Sequence, residues 1–210
     1  MPTVALVSNK GGSGKTTLSM NLAAGLSRRG STVLLDADPQ GSSAQWAMIA
    51  DEAGIVESGV VPAHEAVGDR IEEYRDRCNY RLVDCPPSIH APQTRSALEY
   101  ADIALIPVQP SPVDLWATAH IARVVEQVRE GNGKLAAFLI VNQLESRTLL
   151  SRLVGSTLSE LELPALRTTV HRRAVYRNCV LEGRSVYQMG ARGAPAIDEI
   201  EGIIQEVFLP

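Results

Sequence analysis

Residues 10–17 read KGGSGKTT, with lysines on both sides of three glycines. Gly11, Gly12 and Gly14 leave backbone N–H groups free to converge on one point, and a following helix would present its positive end there. That chemistry suits a phosphate chain. Lys15 can place charge against the β- and γ-phosphates, and the Thr16 hydroxyl suits Mg²⁺. Lys10 to Thr17, with Ser13 and Thr17 included, is therefore the expected nucleotide-binding segment. The ordinary pattern G-x-x-x-x-G-K-[ST] would require glycine at position 9, where the chain has Asn9, and it leaves Lys10 unexplained. Two cations near one triphosphate are useful when charge develops during transfer. No G-x-G-x-x-G pattern is present in the loop, which argues against hydride transfer.

Three carboxylates complete the set. Asp36 and Asp38 end the run STVLLDAD, and Asp84 follows YRLV. Ligands in open α/β sheets sit at the carboxyl ends of strands. There, carboxylates can serve a magnesium-bound water and a nucleophilic water. Turn capping is the competing reading for Asp36 and Asp38, and a buried hydrogen-bonding role for Asp84. Asn142, at the end of LIVNQ, can read an adenine edge or cap a turn. Thr168 and Thr169 are candidates for the same pocket.

The elements that must position these groups alternate. Aliphatic runs at 3–8, 31–38, 80–85, 101–109 and 135–143 read as strands, with 164–170 as a sixth. Thr17 to Arg29 reads as a helix with Leu18, Leu22 and Leu26 on one face. Residues 44–77 read as helical, interrupted by Pro62. Further helices are expected over 92–100, 113–130, 147–160, 172–181 and 194–208. Strands without clean polar alternation are covered on both faces. The expected class is α/β, a mostly parallel sheet with helices on both sides, in one domain spanning 1–210.

KGGSGKTT together with LLDADPQGS and LVDCPPS resembles the deviant Walker A ATPases of the ParA/MinD family, nearly end to end and closest to its short ParF/McdA-type members. The resemblance implies a phosphate-loop NTPase fold, ATP and Mg²⁺ as cofactors, and two subunits closing face to face over two nucleotides. By it Lys10 reaches the partner's nucleotide and Lys15 its own. Asp38 matches the hydrolysis-critical aspartate, Asp36 the earlier aspartate of D-x-D-P-Q, and Asp84 the Walker B aspartate. Pro107, Pro110, Pro112 and Asp114 fall in a segment near the family's dimer contact, with Trp116 extending it. Catalysis then rests on Lys10, Lys15 and Asp38, and the metal on Thr16, Asp36 and Asp84.

Composition bounds the partners. The net charge is -4, but from Arg167 to Arg192 six arginines face one acid, Glu182. Such a block can build a basic face on an acidic protein. Arg172, Arg173, Arg177, Arg184 and Arg192 are the DNA-contact candidates, with Arg173 and Arg177 expected to share a helical face. The ending AIDEIEGIIQEVFLP is amphipathic but lacks lysine and arginine, so a core-packed helix is expected rather than a membrane anchor. Three cysteines without a C-x-x-C pair suggest neither a disulfide framework nor zinc. The expectation is a cytoplasmic switch, nucleoid-associated when ATP-bound, that dimerises on ATP, binds DNA non-specifically and moves a cargo through a ParB-like or cargo-adaptor protein that stimulates hydrolysis. A plasmid, a carboxysome and a chemoreceptor cluster are the open cargoes, and a nucleotide-controlled adaptor without DNA binding is the competing class.

Overall fold

A computed structural model describes residues 2–52, 59–145 and 163–208. Six strands form one sheet: β1 (Thr3–Leu6), β2 (Thr32–Asp36), β3 (Gly59–Pro62), β4 (Tyr80–Asp84), β5 (Ile103–Val108) and β6 (Ala136–Val141). Their order is β3-β2-β4-β1-β5-β6 and every pairing is parallel. The helices are α1 (Lys15–Ser27), α2 (Ser42–Glu52), α3 (Val67–Glu73), α4 (Pro92–Tyr100), α5 (Pro112–Arg129), α6 (Ala174–Glu182) and α7 (Ala194–Phe208).

The apolar strands are apolar on both sides because both sides are covered. Ala5, Val33, Leu35, Val83 and Ile106 pack with Ile71 of α3, Leu98 of α4 and Val125 of α5. Val4, Leu6, Leu34, Leu82 and Leu105 face the opposite layer, with Leu18, Leu22 and Leu26 of α1, Cys179 of α6 and Ile200, Ile203 and Ile204 of α7. The C-terminal helix is thus a core element, as its lack of basic residues suggests. No helix among the described residues is long and apolar enough to cross a membrane.

Two assignments from the sequence change. Residues 44–77 are not continuously helical: α2 and α3 flank a strand, β3. That strand has only four residues, lies at the sheet edge and ends in Pro62, so no periodicity announces it. Residues 164–170 do not form a regular strand. They follow β6 through an isolated parallel bridge, Leu139 to Ala165, and through Val170 N–H, which donates to the Val141 carbonyl at 2.8 Å. The helix expected over 147–160 lies outside the described residues.

Pro107 sits inside β5, opposite Ile140 of β6, and is buried. Its neighbour two residues back, Leu105, turns its carbonyl toward β1 and accepts from Val7 N–H. By strand alternation Pro107 faces the same way, past the end of β1, so its missing donor breaks no ladder bond.

Candidate functional site

The phosphate loop connects β1, in the interior of the sheet, to α1. Gly12 and Gly14 have φ of +77° and +91°, the region that glycine enters without a Cβ penalty. A Cβ on Gly14 would lie 2.3 Å from Asn142 Nδ2, so the close approach also requires glycine. Around Gly11 and Gly12 a Cβ would meet nothing within 4 Å, leaving the loop open on that side.

Ser8, which the sequence reading passed over, organises the loop's interior. Its hydroxyl donates to the Lys10 carbonyl at 2.9 Å and accepts from the Ser13 hydroxyl at 3.0 Å and from Lys15 Nζ at 2.9 Å. One donor and two lone pairs are thereby used. Lys15 is buried, and burial lowers its pKa against the attraction of Asp84 and Asp38. An ammonium held this way is prepared for an anion that solvates it better than one hydroxyl does.

Asp84, at the end of β4, is fully enclosed. Its Oδ2 accepts from Thr16 Oγ1 at 2.7 Å and Ser43 Oγ at 2.6 Å, and Oδ1 accepts from Ser19 Oγ at 3.3 Å. Burial pushes its pKa up to about 6, while the Ser43 and Thr16 hydroxyls and Lys15 pull the other way. A divalent cation beside it would hold it ionised, so Thr16 and Asp84 fit Mg²⁺ bound through a triphosphate. Such an ion would neutralise phosphate charge as it develops.

Asp36 is already occupied. Its Oδ2 accepts from Ala44 N–H at 2.8 Å and its Oδ1 from Asp38 N–H at 3.2 Å, which shapes the segment leading into α2. Burial raises its pKa and those amides lower it. Asp38 is half-buried and caps its own turn, with Oδ1 accepting from Gln40 N–H at 2.9 Å. It also contributes to the field at Lys15.

Lys10 lies apart from this interior. Its side chain is 46% exposed and its Nζ pairs with Asp114 Oδ1 at 2.5 Å. Asp114 is itself buried, lies in the first turn of α5 and is fixed by Ser111, whose hydroxyl donates to Asp114 Oδ2 at 2.7 Å. Pro110 is half-buried just before this cap, and Pro112 begins the helix. Trp116 projects into solvent, 74% exposed. The buried Pro107 presents no such surface.

This geometry agrees with the family comparison. Residues 4–186 match the model of the CobQ/CobB/MinD/ParA nucleotide binding domain. The chain belongs to the ParA/MinD family of deviant Walker A ATPases. It is 42% identical over 207 residues to maintenance of carboxysome distribution protein A of Halothiobacillus neapolitanus, covering 98% of this chain and 96% of that one. It is 34% identical over 187 residues to the chromosome-partitioning ATPase Soj of Thermus thermophilus, covering 74% of each. Among solved structures it shares the fold of a Cyanothece McdA variant in complex with ATP, with TM-score 0.76, 16% identity, and coverage of 100% and 97%. MinD of Pyrococcus horikoshii with Mg-ADP gives TM-score 0.76 at 19% identity, covering 99% and 97%. As a member of this family the chain is a P-loop ATPase, and its site is of the type that takes ATP with Mg²⁺.

Beside the loop lies a cavity of about 230 Å³, lined by Thr17, Asn142, Val170, Arg173, Tyr176 and Arg177 among others. Its place next to Gly14 suits a nucleoside. Asn142 does line it, but its amide is engaged: Nδ2 donates to the Ser13 carbonyl at 2.7 Å and Oδ1 accepts from Gln143 N–H at 2.9 Å. Thr168 and Thr169 are not among the lining residues. Thr168 turns to α7, donating its N–H to Glu206 Oε1 at 2.8 Å. A larger cavity, about 440 Å³, lies between α2, β3 and the turn at Ser185, and no lysine or arginine among the described residues lines it.

The arginine block divides. Arg173 does not share a helical face with Arg177: it is the residue before α6, at φ −116° and ψ 140°. Its Nε and Nη2 donate to Glu199 Oε1 at 2.9 and 2.8 Å. Glu199 is buried in α7 and also accepts from His171 Nδ1 at 2.8 Å and Tyr176 OH at 2.9 Å. A buried carboxylate demands such partners, and Arg173 is engaged in meeting that demand. Arg172 is exposed and pairs with Glu145 at 2.6 Å, while Arg184 pairs with Glu182 at 3.2 Å. Arg177 and Arg192 are exposed. Arg172, Arg173 and Arg177 all border the cavity beside the loop. Histidines far apart in sequence also meet, with His90 Nε2 2.6 Å from His120 Nε2, although no group of three or more metal-ligating side chains occurs among the described residues.

Proposed function

We propose that this chain is an ATP-driven positioning switch that distributes a protein cargo of the carboxysome kind. The observation that carries the reading is the separation of the two lysines. Lys15 is buried within its own loop, whereas Lys10 stands half-exposed at the mouth, in a pair with Asp114 that a nucleotide bound by a second copy would have to displace. In this reading Lys15, the loop amides, Thr16 and Asp84 bind Mg-ATP, and Asp38 orients the attacking water. Lys10 completes the site of the partner subunit, and the exposed Trp116 joins that contact. The carboxysome assignment rests on the relative from Halothiobacillus neapolitanus, matched along nearly its whole length.

Sedimentation with Mg²⁺ and a slowly hydrolysed ATP analogue tests the switch: wild type dimerises, and Lys10→Ala stays monomeric while still binding nucleotide. Fluorescently tagged cargo tests the rest. Deleting the gene should collapse evenly spaced cargo into clusters, and unchanged spacing would reject the cargo assignment.

A second reading, a DNA-bound switch, is favoured by the exposed Arg177 and Arg192. It predicts ATP-dependent, sequence-indifferent DNA affinity that falls steeply with salt. Because three of the five candidate arginines border the nucleotide cavity, neutralising them would also disturb nucleotide binding, so Arg192→Ala is the cleaner variant. An adaptor with no DNA affinity in either nucleotide state is the alternative outcome.

A further inference from the structure

Three side-chain amides converge on two successive carbonyls of the phosphate loop. Gln109 Nε2, from the residue after β5, and Gln143 Nε2, from the second residue after β6, both donate to the Gly12 carbonyl at 2.8 Å. Asn142 Nδ2 donates to the next carbonyl, that of Ser13, at 2.7 Å. The two lone pairs of the Gly12 carbonyl are thereby filled. Gln143 reaches it from φ +56°, the only positive φ outside glycine among the described residues, and its own N–H is held by Asn142 Oδ1. A strained backbone maintained by a specific bond network marks a position whose geometry is used.

The trans peptide unit explains what it is used for. C=O and N–H of one unit point in opposite directions. Drawing the Gly12 carbonyl toward the ends of β5 and β6 turns the Ser13 N–H the other way, and drawing the Ser13 carbonyl does the same for the Gly14 N–H. Those two N–H groups then face the hollow of the loop, where a phosphate chain needs donors and where an inward carbonyl would repel it. We propose that Gln109, Asn142 and Gln143 act as an amide clamp that sets the peptide planes of the phosphate loop and thereby its affinity for the phosphate chain. They are positioning residues. The inference rests on the ATPase reading and assigns Asn142 to the phosphates rather than to the base.

The clamp makes a prediction that a base-reading or merely structural role does not. Affinities for Mg-ATP, Mg-GTP and inorganic tripolyphosphate would be measured by calorimetry for wild type, Gln109→Leu, Gln109→Glu and Gln143→Gly. Gln143→Gly removes the amide while keeping a residue at ease at positive φ. Each should bind ATP and tripolyphosphate more weakly by the same factor, about 5-fold for one lost hydrogen bond, with the ATP-to-GTP ratio and the melting temperature unchanged. Gln109→Glu, the same shape with acceptor in place of donor, should be at least as weak as Gln109→Leu. Variants that bind both probes as wild type does overturn the clamp, as does a changed ATP-to-GTP ratio with tripolyphosphate affinity intact. Wild-type protein that binds none of the probes overturns the ATPase reading, and the clamp with it.

Discussion

The ammonium of Lys10 lies 2.5 Å from the Asp114 carboxylate of its own chain. A cation proposed to serve a partner is therefore already engaged at home, and the two contacts compete. The half-exposed ammonium is screened by solvent although its carboxylate is buried, so a nucleotide phosphate can compete with the tether. Asp114→Asn should leave ATP affinity of the monomer within about 2-fold and shift the ATP-dependent monomer–dimer equilibrium toward the dimer by up to about 5-fold. Analytical ultracentrifugation with Mg²⁺ and an ATP analogue measures both. A weaker dimer would show that Asp114 supports Lys10 in the dimer instead.

Lys15→Met should separate binding from stability. The ammonium is buried with Ser8 as its hydrogen-bond partner, and burial disfavours its charged form. Removing it should abolish tight ATP binding, a loss of about 100-fold or more, as expected for a charged group meeting phosphates. The nucleotide-free melting temperature should stay level or rise. Its folded-state pKa lies below the ordinary lysine value, so the wild-type penalty is present at neutral pH. The gap between the two proteins should narrow as pH rises toward 10.5, the ordinary value. Thermal scans at pH 7 and 10 check the sign.

Asp38→Ala is expected to slow phosphate release by about 100-fold, the scale of a lost proton acceptor, while the ATP-bound dimer persists. Among the described residues the carboxylate caps its own turn at Gln40 and no other, so little else depends on it. Phosphate release and sedimentation on the same sample are the test, and unchanged release reassigns Asp38 to the turn.

Glu199→Ala should destabilise the fold by about 2–4 kcal/mol, less than for a fully buried pair because Arg173 is partly exposed. Arg173, His171 and Tyr176 lose their common acceptor at once. Arg177→Ala, on the exposed side of α6, should leave stability within about 0.5 kcal/mol. Denaturant unfolding compares the two, and equal losses would reject the division of the arginine block.

The phosphate loop was legible because it is local. Gly11, Gly12, Gly14, Lys15 and Thr16 are contiguous, and their types name their chemistry. Asp84 was legible because it ends an unmistakable aliphatic strand. The pairing of Arg173 was not legible because its partner lies 26 residues away in a helix whose acids look solvated. Ser8 and Gln109 escaped notice for a related reason: hydroxyls and amides are common beside strands, and only the fold reveals which carbonyl each one meets. The edge strand β3 was missed because four residues ending in proline carry no period.

The central position of β1 also governs when the loop can function during synthesis. Thr3 pairs with a residue 78 positions later, in β4, and bonds to Asp102, 99 positions later. The loop leaves the ribosome well before its frame, which is incomplete until β5 follows, and its carbonyls are gripped only once Gln143 emerges. At about 5–20 residues per second, the nascent chain carries an exposed glycine-rich segment, unable to hold nucleotide, for on the order of ten seconds. Nucleotide binding therefore waits for β5 and β6, and a ribosome-stalled product ending before residue 109 should not retain ATP.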